Sequence, residues 1–326
     1  MKKILIFRHS SLGDFIVGIP AITIIRKKFI NHKIYYLTEK HYSLGAVNPH
    51  TIFANNKLID EFIYINKKDR TFIGLIKLII KLRKYQFEFF FYLHDAASVK
   101  KFNILRNLLY FLLCNIKKVS GFNLLRYKPN YIEGNESYHI AKRVDPNVKR
   151  KDIHKAINRS YKINKHSQKF TLKKFLSKKY FKTFITISHG QKNPVKDWGL
   201  KNWKILLKRI TYYFPTIKII IVGTMQENTR ANILKKIKPS NIVNLCGKTN
   251  INELMEIINK SKFHISHDDG TMHIASIFNK KNIAIFSNPE KRWSPDNRNL
   301  NVFSPKITIK RIKPNLILEK FKENFS

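Results

Sequence analysis

Two short segments of the sequence bring together side chains that could act on a phosphate or a sugar. The first, Ser10-Ser11-Leu12-Gly13-Asp14, follows the apolar run KILIF at residues 3–7. Hydroxyls, a glycine and a carboxylate placed after a strand lie where open α/β sheets bind ligands. The alternative is structural, because Ser11 or Asp14 would also cap the helix predicted over residues 15–28.

The second segment, Asp268-Asp269-Gly270-Thr271-Met272-His273, lies between a strand predicted over 263–268 and a helix predicted over 272–279. Its backbone amides and the Thr271 hydroxyl could receive a diphosphate at a helix N-terminus, where the helix dipole favours negative charge. Two carboxylates would repel a phosphate unless they face a ribose or cap the helix. Taken alone, the segment therefore favours a capped helix, and His273 alone favours a core or surface histidine.

Positive charge follows the strand predicted over 184–190, where Lys192 and Lys196 could neutralise a leaving phosphate. We expect Trp198 and Trp203 to anchor the next helix rather than to stack on a base.

Glu227 stands just beyond the strand that ends in Val222-Gly223, at the position where doubly wound domains hold a ribose hydroxyl. A glutamate at a helix N-terminus is the structural alternative. Neither a G-x-G-x-x-G motif nor a Walker A lysine loop occurs, so dinucleotide and P-loop chemistry lack their main support.

The elements that must position these residues alternate between strands and helices, which predicts two doubly wound α/β domains. The length of 326 residues also favours two domains. In the first half we predict strands at 3–7, 33–38, 61–65, 87–93 and 117–122, with helices over 15–28 and 71–85. In the second half we predict strands at 184–190, 218–223, 242–247, 263–268 and 282–287, with helices over 201–214, 227–237, 252–261 and 272–279.

The boundary between the domains is predicted near residue 180. Residues 142–182 hold fifteen Lys or Arg against two acidic residues and lack a clear strand. The N-terminal domain is then 1–180, including a basic linker over about 142–180, and the C-terminal domain is 181–326.

The charge is strongly positive, with 63 Lys or Arg against 21 Asp or Glu and a net charge of +42. Residues 1–180 carry +26 of it, so we expect a polyanion to meet that half first. A hydrophobic content of 43% argues against a disordered chain.

Several classes of protein are disfavoured. Cys114 and Cys246 lie in apolar runs away from other ligand residues, so neither a disulfide framework nor a zinc site is supported, and a cytoplasmic location fits. The run at residues 4–7 is too short for a signal peptide. The apolar run at 107–116 is half of the roughly 20 residues that a membrane span needs. Any membrane contact is therefore expected to be peripheral.

Taken in order, these residues resemble glycosyltransferase family 9, the heptosyltransferases of the lipopolysaccharide inner core. The resemblance runs nearly end to end, although the family usually has Ser or Thr where Asp269 stands and often Pro at Thr271. It rests on Ser10-Ser11-x-Gly13-Asp14 with Pro20, Val119-Ser120-Gly121-Phe122, Lys196-x-Trp198 with Trp203, Val222-Gly223 with Glu227, and Asp268-x-Gly270-x-Met272-His273 with Ala275.

The resemblance implies a GT-B fold, in which two Rossmann-like domains face each other across a cleft. The N-terminal domain would bind the acceptor and the C-terminal domain the nucleotide-sugar, with a last helix, Pro314–Phe325, that could return to the first domain. It also implies inverting, metal-independent transfer of a heptose or related sugar, from ADP-heptose, with no cofactor beyond this co-substrate. The acceptor would be an anionic lipopolysaccharide or lipooligosaccharide core at the cytoplasmic face of the inner membrane.

The resemblance also assigns roles to single residues. Asp14 would be the catalytic base, and Lys196, with the amides and hydroxyl around Gly270 and Thr271, would hold the diphosphate. Asp268 and Glu227 would position the nucleoside and sugar. The remaining candidates are Asp269 and His273 at the donor, and Ser10, Ser11 and Gly13 at the acceptor.

Other functions stay open at this point. A nucleic-acid-binding protein would suit the charge with 14 Tyr and 24 Phe, but no recognised module is present. A sugar-epimerising enzyme with the same two domains would need an acid/base pair that the sequence does not reveal, and a family member could use another nucleotide-sugar or acceptor. Residues 102–118 could form an amphipathic membrane contact, although the sequence favours a buried core helix there.

Overall fold

The computed structural model describes residues 1–9, 11–40, 48–53, 58–94, 101–116, 118–121, 135–159, 173–175, 183–191, 193–287, 291–295, 300–304 and 309–325. These residues form two compact units, the first within Met1–Tyr161 and the second within Lys162–Ser326. Each unit contains a parallel sheet covered by helices, so the predicted α/β class is confirmed. The predicted boundary at residue 180 lies outside the described residues and stays a prediction.

The first unit has a five-stranded sheet in the order β3-β2-β1-β4-β5. Its strands are β1 Lys3–Phe7, β2 Lys33–Glu39, β3 Glu61–Ile65, β4 Phe89–Tyr92 and β5 Lys118–Ser120. Its helices are α1 Leu12–Lys28, α2 His50–Phe53, α3 Phe72–Tyr85, α4 Lys101–Leu113, α5 Glu136–Val144 and α6 Arg150–Arg159. The central strand β1 is apolar and buried from Ile4 to Phe7 because helices cover both faces of a parallel sheet.

Helices α5 and α6 pack on α1, and the Ser137 hydroxyl donates to the Val17 carbonyl of that helix at 2.6 Å. The first part of the predicted basic linker is therefore helical and belongs to the first unit. On the other face of the sheet, α3 and α4 join the core that contains Leu5 and Phe7 of β1. No helix in the described ranges is long and apolar enough to cross a membrane.

The second unit repeats this order and adds a sixth strand, giving β11-β10-β9-β6-β7-β8. Its strands are β6 Phe184–Ser188, β7 Lys218–Ile221, β8 Ile242–Asn244, β9 Phe263–His267, β10 Asn282–Phe286 and β11 Val302–Phe303. Its helices are α7 Leu200–Tyr213, α8 Asn228–Lys235, α9 Ile251–Lys260, α10 Gly270–Ile277 and α11 Pro314–Asn324. Every residue of β6, β9 and β10 is buried.

The last helix, α11, buries its apolar side in the second unit. Ile317, Leu318 and Phe321 belong to that core, and the Phe321 ring centroid lies 5.1 Å from that of Phe263. The helix is thus anchored in the second unit, and the return to the first unit that the resemblance suggested stays a prediction.

Candidate active site

In the first unit the candidate residues form the turn between β1 and α1. Ser11 is the N-cap of α1, and its amide and hydroxyl donate to Oδ2 of Asp14 at 3.1 and 2.6 Å. The Asp14 amide donates back to the Ser11 hydroxyl at 3.4 Å, which completes a capping box. The structural alternative weighed for these two residues is thus confirmed. Gly13 is buried in the first turn of α1, and Ser10 lies outside the described residues.

The capping box engages only half of the Asp14 carboxylate. The carboxylate accepts two of the three bonds of the box, both from Ser11 and both at Oδ2, whereas Oδ1 accepts no hydrogen bond from the described residues. The side chain is partly buried and ends at the carboxyl edge of the central strand. The cap therefore leaves one oxygen able to accept a proton.

Arg8, which the sequence showed only as the end of an apolar run, holds this turn in place. Its side chain is buried, and Nε donates to the Asp14 carbonyl at 2.9 Å while Nη1 donates to the Leu93 carbonyl at 2.5 Å. A Cβ at Gly18 would lie 3.3 Å from the Arg8 Cδ, so this glycine gives the arginine room. In the sequence, the signal for this role of Arg8 is a cationic residue between a buried strand and a turn of small residues.

In the second unit the candidate residues follow three neighbouring strands. Lys196 follows β6, Asp268 follows β9, and Glu227 follows β7. Strand β6 lies between the other two, and the chain reverses its direction of winding between β6 and β9. Ligands of open α/β sheets bind at such a switch point.

Lys196 and Asp268 meet across this switch point. Lys196 ends the short 3₁₀ helix Pro194–Lys196, and its Nζ lies 2.8 Å from Oδ2 of Asp268. An ammonium has three N–H donors and this bond uses one, so Lys196 can still bind a further anion. The structure brings together two residues that were predicted at the donor. Lys192 lies outside the described residues.

The loop after Lys196 is fixed to α8. Arg230 pairs with the Asp197 carboxylate at 2.8 and 3.3 Å, and the Gly199 amide donates to it at 3.0 Å. Burial raises the pKa of Asp197, but these bonds and the Arg230 charge outweigh it and leave the pKa below its usual value.

Asp269 is the N-cap of α10, and both of its carboxylate oxygens are engaged. Oδ1 accepts from the Thr271 amide at 2.8 Å, the Thr271 hydroxyl at 2.7 Å and the Met272 amide at 3.1 Å, and Oδ2 accepts from the Ser188 hydroxyl at 2.9 Å. Burial of the carboxylate raises its pKa to about 6, against the lowering effect of these bonds.

These contacts engage two of the groups that were expected at the diphosphate. The amide and hydroxyl of Thr271 were expected to receive it, but Asp269 already binds both. Asp269 and Thr271 therefore fix the turn at the start of α10, and Gly270 supplies the amide that is left for a ligand. His273 lies further along α10 and is buried.

His264 extends this network into the core. Its Nε2 lies 2.9 Å from the Thr271 hydroxyl and its Nδ1 lies 2.9 Å from the Thr186 hydroxyl. Because the Thr271 hydroxyl donates its proton to Asp269, we assign the ring proton to Nε2. Burial lowers the His264 pKa to about 3, which keeps the ring neutral. Sequence analysis did not single out this residue.

The two tryptophans have the structural role that was predicted. Both are fully buried, and their ring centroids lie 5.0 Å apart in an edge-to-face contact. The Trp198 amide donates to Nε2 of His267 at 3.1 Å, and its indole donates to the Ile312 carbonyl at 2.8 Å. Burial lowers the His267 pKa to about 4.

Glu227 forms a second half-engaged carboxylate. Its Oε2 accepts from the Thr224 amide at 2.7 Å and the Thr224 hydroxyl at 2.5 Å, whereas Oε1 accepts no bond from the described part of the chain. A Cβ at Gly190 would lie 2.4 Å from the Glu227 Cγ, so Gly190 makes space for this side chain. The residue caps its turn and keeps one oxygen open. No group of three or more potential metal-ligating side chains occurs among the described residues.

Comparison with known proteins adds to this geometry. The sequence model of glycosyltransferase family 9 (heptosyltransferase) matches residues 126–316 of the chain. Lipopolysaccharide heptosyltransferase 1 of Campylobacter coli is 26% identical over 305 residues, which cover 87% of this chain and 83% of that protein.

Solved structures share the fold. A glycosyltransferase family 9 protein from Veillonella parvula matches with a TM-score of 0.75 at 14% identity, covering 99% of this chain and 97% of that one. The ADP-heptose lipopolysaccharide heptosyltransferase II of E. coli matches with a TM-score of 0.71 at 15% identity, covering 100% and 98%. The predicted GT-B class, with two Rossmann-like units, is confirmed.

Proposed function

The chain belongs to glycosyltransferase family 9 and is a glycosyltransferase, and from this premise we propose that it transfers a heptose from ADP-heptose to a lipopolysaccharide or lipooligosaccharide core. We propose an inverting transfer that needs no metal ion. The observation that carries the mechanism is the Asp14 carboxylate, which lies in the first turn of the helix after the central strand; Ser11 binds its Oδ2, and its Oδ1 accepts no hydrogen bond from the described residues.

The reaction needs a base at the acceptor. The acceptor hydroxyl attacks the anomeric carbon and gives its proton to Asp14 Oδ1, while the bond from that carbon to the diphosphate oxygen breaks and its electron pair stays on the diphosphate. Displacement on the face opposite the leaving group inverts the anomeric carbon. Ser11 keeps the carboxylate in place, and Ser10 and Gly13 complete the acceptor loop.

The leaving diphosphate needs positive charge and N–H donors. Lys196 supplies the charge, with its ammonium aimed by Asp268, and the Gly270 amide supplies a donor at the start of α10. Glu227 Oε1 and the second carboxylate oxygen of Asp268 accept hydrogen bonds from hydroxyls of the sugar and the ribose. Asp269, Thr271 and His273 act through α10, since the first two are bound to each other and the third is buried.

A transfer assay tests the proposal. Purified protein with ADP-heptose and a deacylated, heptose-free core should add one heptose, with inverted anomeric configuration by NMR and an equal rate in EDTA. ADP-heptose should also raise the unfolding temperature more than UDP- or GDP-linked sugars, because a ligand that binds only the folded state stabilises it. Stabilisation by another nucleotide-sugar, with no transfer from ADP-heptose, would assign a different donor.

A further inference from the structure

Two neighbouring helices of the first unit expose an apolar surface. Helices α3 and α4 pack on the same face of the sheet, through Leu78 and Leu82 of α3, Phe111 of α4 and Cys114 just after α4. Their outward sides carry large apolar side chains, with Phe72 at 79% exposure. We name this the α3–α4 surface; it consists of Phe72, Ile73, Ile76 and Ile80 on α3 and Leu105, Leu109, Leu112 and Leu113 on α4.

The spacing makes each set a stripe. Residues 72, 76 and 80 follow each other at four-residue intervals, as do 105, 109 and 113, so each set lies along one side of its helix. The Tyr110 hydroxyl donates to the Leu75 carbonyl at 3.3 Å, which joins α4 to α3. The two stripes therefore belong to one layer. The sequence favoured a buried role for α4, but among the side chains described at 105–113 Phe111 alone is buried.

Positive charge accompanies the apolar stripes. Lys77, Lys81 and Lys84 form an exposed row on α3 beside Ile73 and Ile80. Neither α3 nor α4 contains an acidic residue. An apolar side rimmed by cations is typical of helices that lie in the interface of an anionic membrane. Ordinary solvent-facing helices instead carry polar residues on that side.

We propose that the α3–α4 surface docks on an anionic lipid bilayer, with both helices lying in the interface and the lysine row on the headgroups. The helices have 14 and 13 residues, fewer than the roughly 20 needed to span the bilayer. Charge complementarity selects this occupant, because a second copy of the surface would oppose one lysine row to another. The inference rests on the proposed function only for the reason that the protein encounters a membrane. The binding itself requires only lipid.

Sedimentation of the full chain with saccharide-free vesicles tests this. Phosphatidylethanolamine vesicles containing phosphatidylglycerol should bind the protein, more weakly as salt rises, and phosphatidylcholine vesicles should bind it at least about tenfold more weakly. Phe72→Ser with Ile76→Ser should weaken binding to the anionic vesicles about tenfold or more. Lys77→Glu with Lys81→Glu should do the same at low salt.

Matched variants on the second unit serve as controls. Tyr212→Ser with Leu316→Ser removes side chains of similar exposure, 79% and 47%, and Lys201→Glu with Lys208→Glu makes the same charge change on α7. We expect both to bind anionic vesicles within about twofold of wild type, apart from a modest loss from the lower net charge. Equal losses in the test and control variants would overturn the proposal, as would unchanged binding by Phe72→Ser with Ile76→Ser.

Two further measurements separate this inference from the function. Transfer to a deacylated, soluble acceptor should be unchanged by Phe72→Ser with Ile76→Ser, since neither residue is among those assigned to the reaction. If wild type binds vesicles but transfers no heptose, the proposed function fails and the docking stands. If sedimentation velocity without lipid shows a dimer that this variant dissociates, the surface is a protein interface and the docking proposal is wrong.

Discussion

Asp14 in the first unit and Asp269 in the second occupy similar turns, yet their carboxylates are engaged very differently. Asp14 lies in the first turn of the helix that follows a buried parallel strand, and Asp269 is the N-cap of the helix that follows another. From the described residues, Asp14 accepts bonds at Oδ2 alone, from Ser11, whereas Asp269 accepts four bonds over both oxygens. Cap chemistry at a strand end can therefore either fix a turn completely or leave an oxygen for a reaction.

A capping box by itself does not mark a site. Asn66 and Asp69 form the same box after β3, and Asn250 and Glu253 form another before α9. What separates Asp14 from Asp69 is the strand: β1 lies at the switch point of the sheet, beside β4, and β3 lies at its edge. The comparison thus predicts which carboxylates the reaction needs.

The largest effect is expected for Asp14→Asn. Asparagine keeps an oxygen for Ser11 but cannot take a proton, so the rate of transfer should fall about 10²- to 10⁴-fold with donor affinity nearly unchanged. Transfer rates and ADP-heptose titrations measure the two quantities. Asp69→Asn alters the same kind of box at an edge strand and should leave transfer unchanged. If Asp14→Asn has near-normal turnover, or if the variant merely unfolds, Asp14 is not the catalytic base and only caps the helix.

Lys196→Ala should have the next largest effect, lowering both donor affinity and turnover. The diphosphate carries more negative charge in the transition state than in the ground state, so the loss should be about 2–4 kcal/mol in transition-state stabilisation. Lys208→Ala on α7 removes an equal charge away from the strand ends and should have little effect. Steady-state kinetics with and without EDTA test this, and a strict requirement for a divalent ion would contradict the metal-free scheme.

The sequence predicted the two units and the strand ends that carry the candidate residues. Largely apolar runs such as KILIF and FITIS are typical of strands with both sheet faces covered, and this local signal needs no tertiary information. The caps of Ser11 and Glu227 were also readable, since capping depends on residues three positions apart.

Contacts between residues far apart in the chain could not be predicted from the sequence. Arg8 donates a hydrogen bond to the carbonyl of Leu93, which is 85 residues away in the sequence. Asp269 accepts one from the hydroxyl of Ser188, which is 81 residues away. The hydrogen bonds between Asp269 and Thr271 were not predicted, and the donor role expected for both residues stays a prediction. The outward side of α3 was missed because its buried and exposed faces are both apolar, so hydrophobic periodicity could not separate them.

The two units should also differ in their response to acid. His189, His264 and His267 are buried in the second unit, and burial lowers their pKa values to about 4, 3 and 4. The unfolded chain, with histidine pKa values near 6.5, then binds more protons than the folded one, so stability is complete above pH 6.5 and is lost as pH falls. Each histidine contributes up to about 1.4 kcal/mol per pH unit below that value.

Tryptophan fluorescence isolates this effect, because Trp198, Trp203 and Trp293 all lie in the second unit. Denaturant unfolding followed by this signal should show a falling unfolding free energy from pH 7 to pH 5.5. His264→Gln keeps a polar side chain without the titration and should flatten that slope. A slope that is the same in wild type and His264→Gln would contradict the assignment of this histidine as neutral and buried.

The smallest effect is expected for Asp269→Asn. The Asn oxygen can keep the Thr271 and Met272 amides, its amide can donate to the Ser188 hydroxyl, and Asn is as good an N-cap as Asp. The raised pKa of Asp269 means that the folded state binds more protons than the unfolded state between about pH 4 and pH 6, so ionisation lowers stability as pH rises through that range. Asn lacks this charge, and the unfolding free energy at pH 7.5 should stay equal or rise slightly. Transfer should remain within about threefold of wild type, against the 10²-fold or greater loss for Asp14→Asn.

Asp269→Ala, which removes the cap, should cost about 1 kcal/mol in unfolding free energy. Should Asp269→Asn instead fold normally and lose transfer as severely as Asp14→Asn, Asp269 must act on the donor, and full engagement of a carboxylate would no longer distinguish a structural cap from a catalytic one.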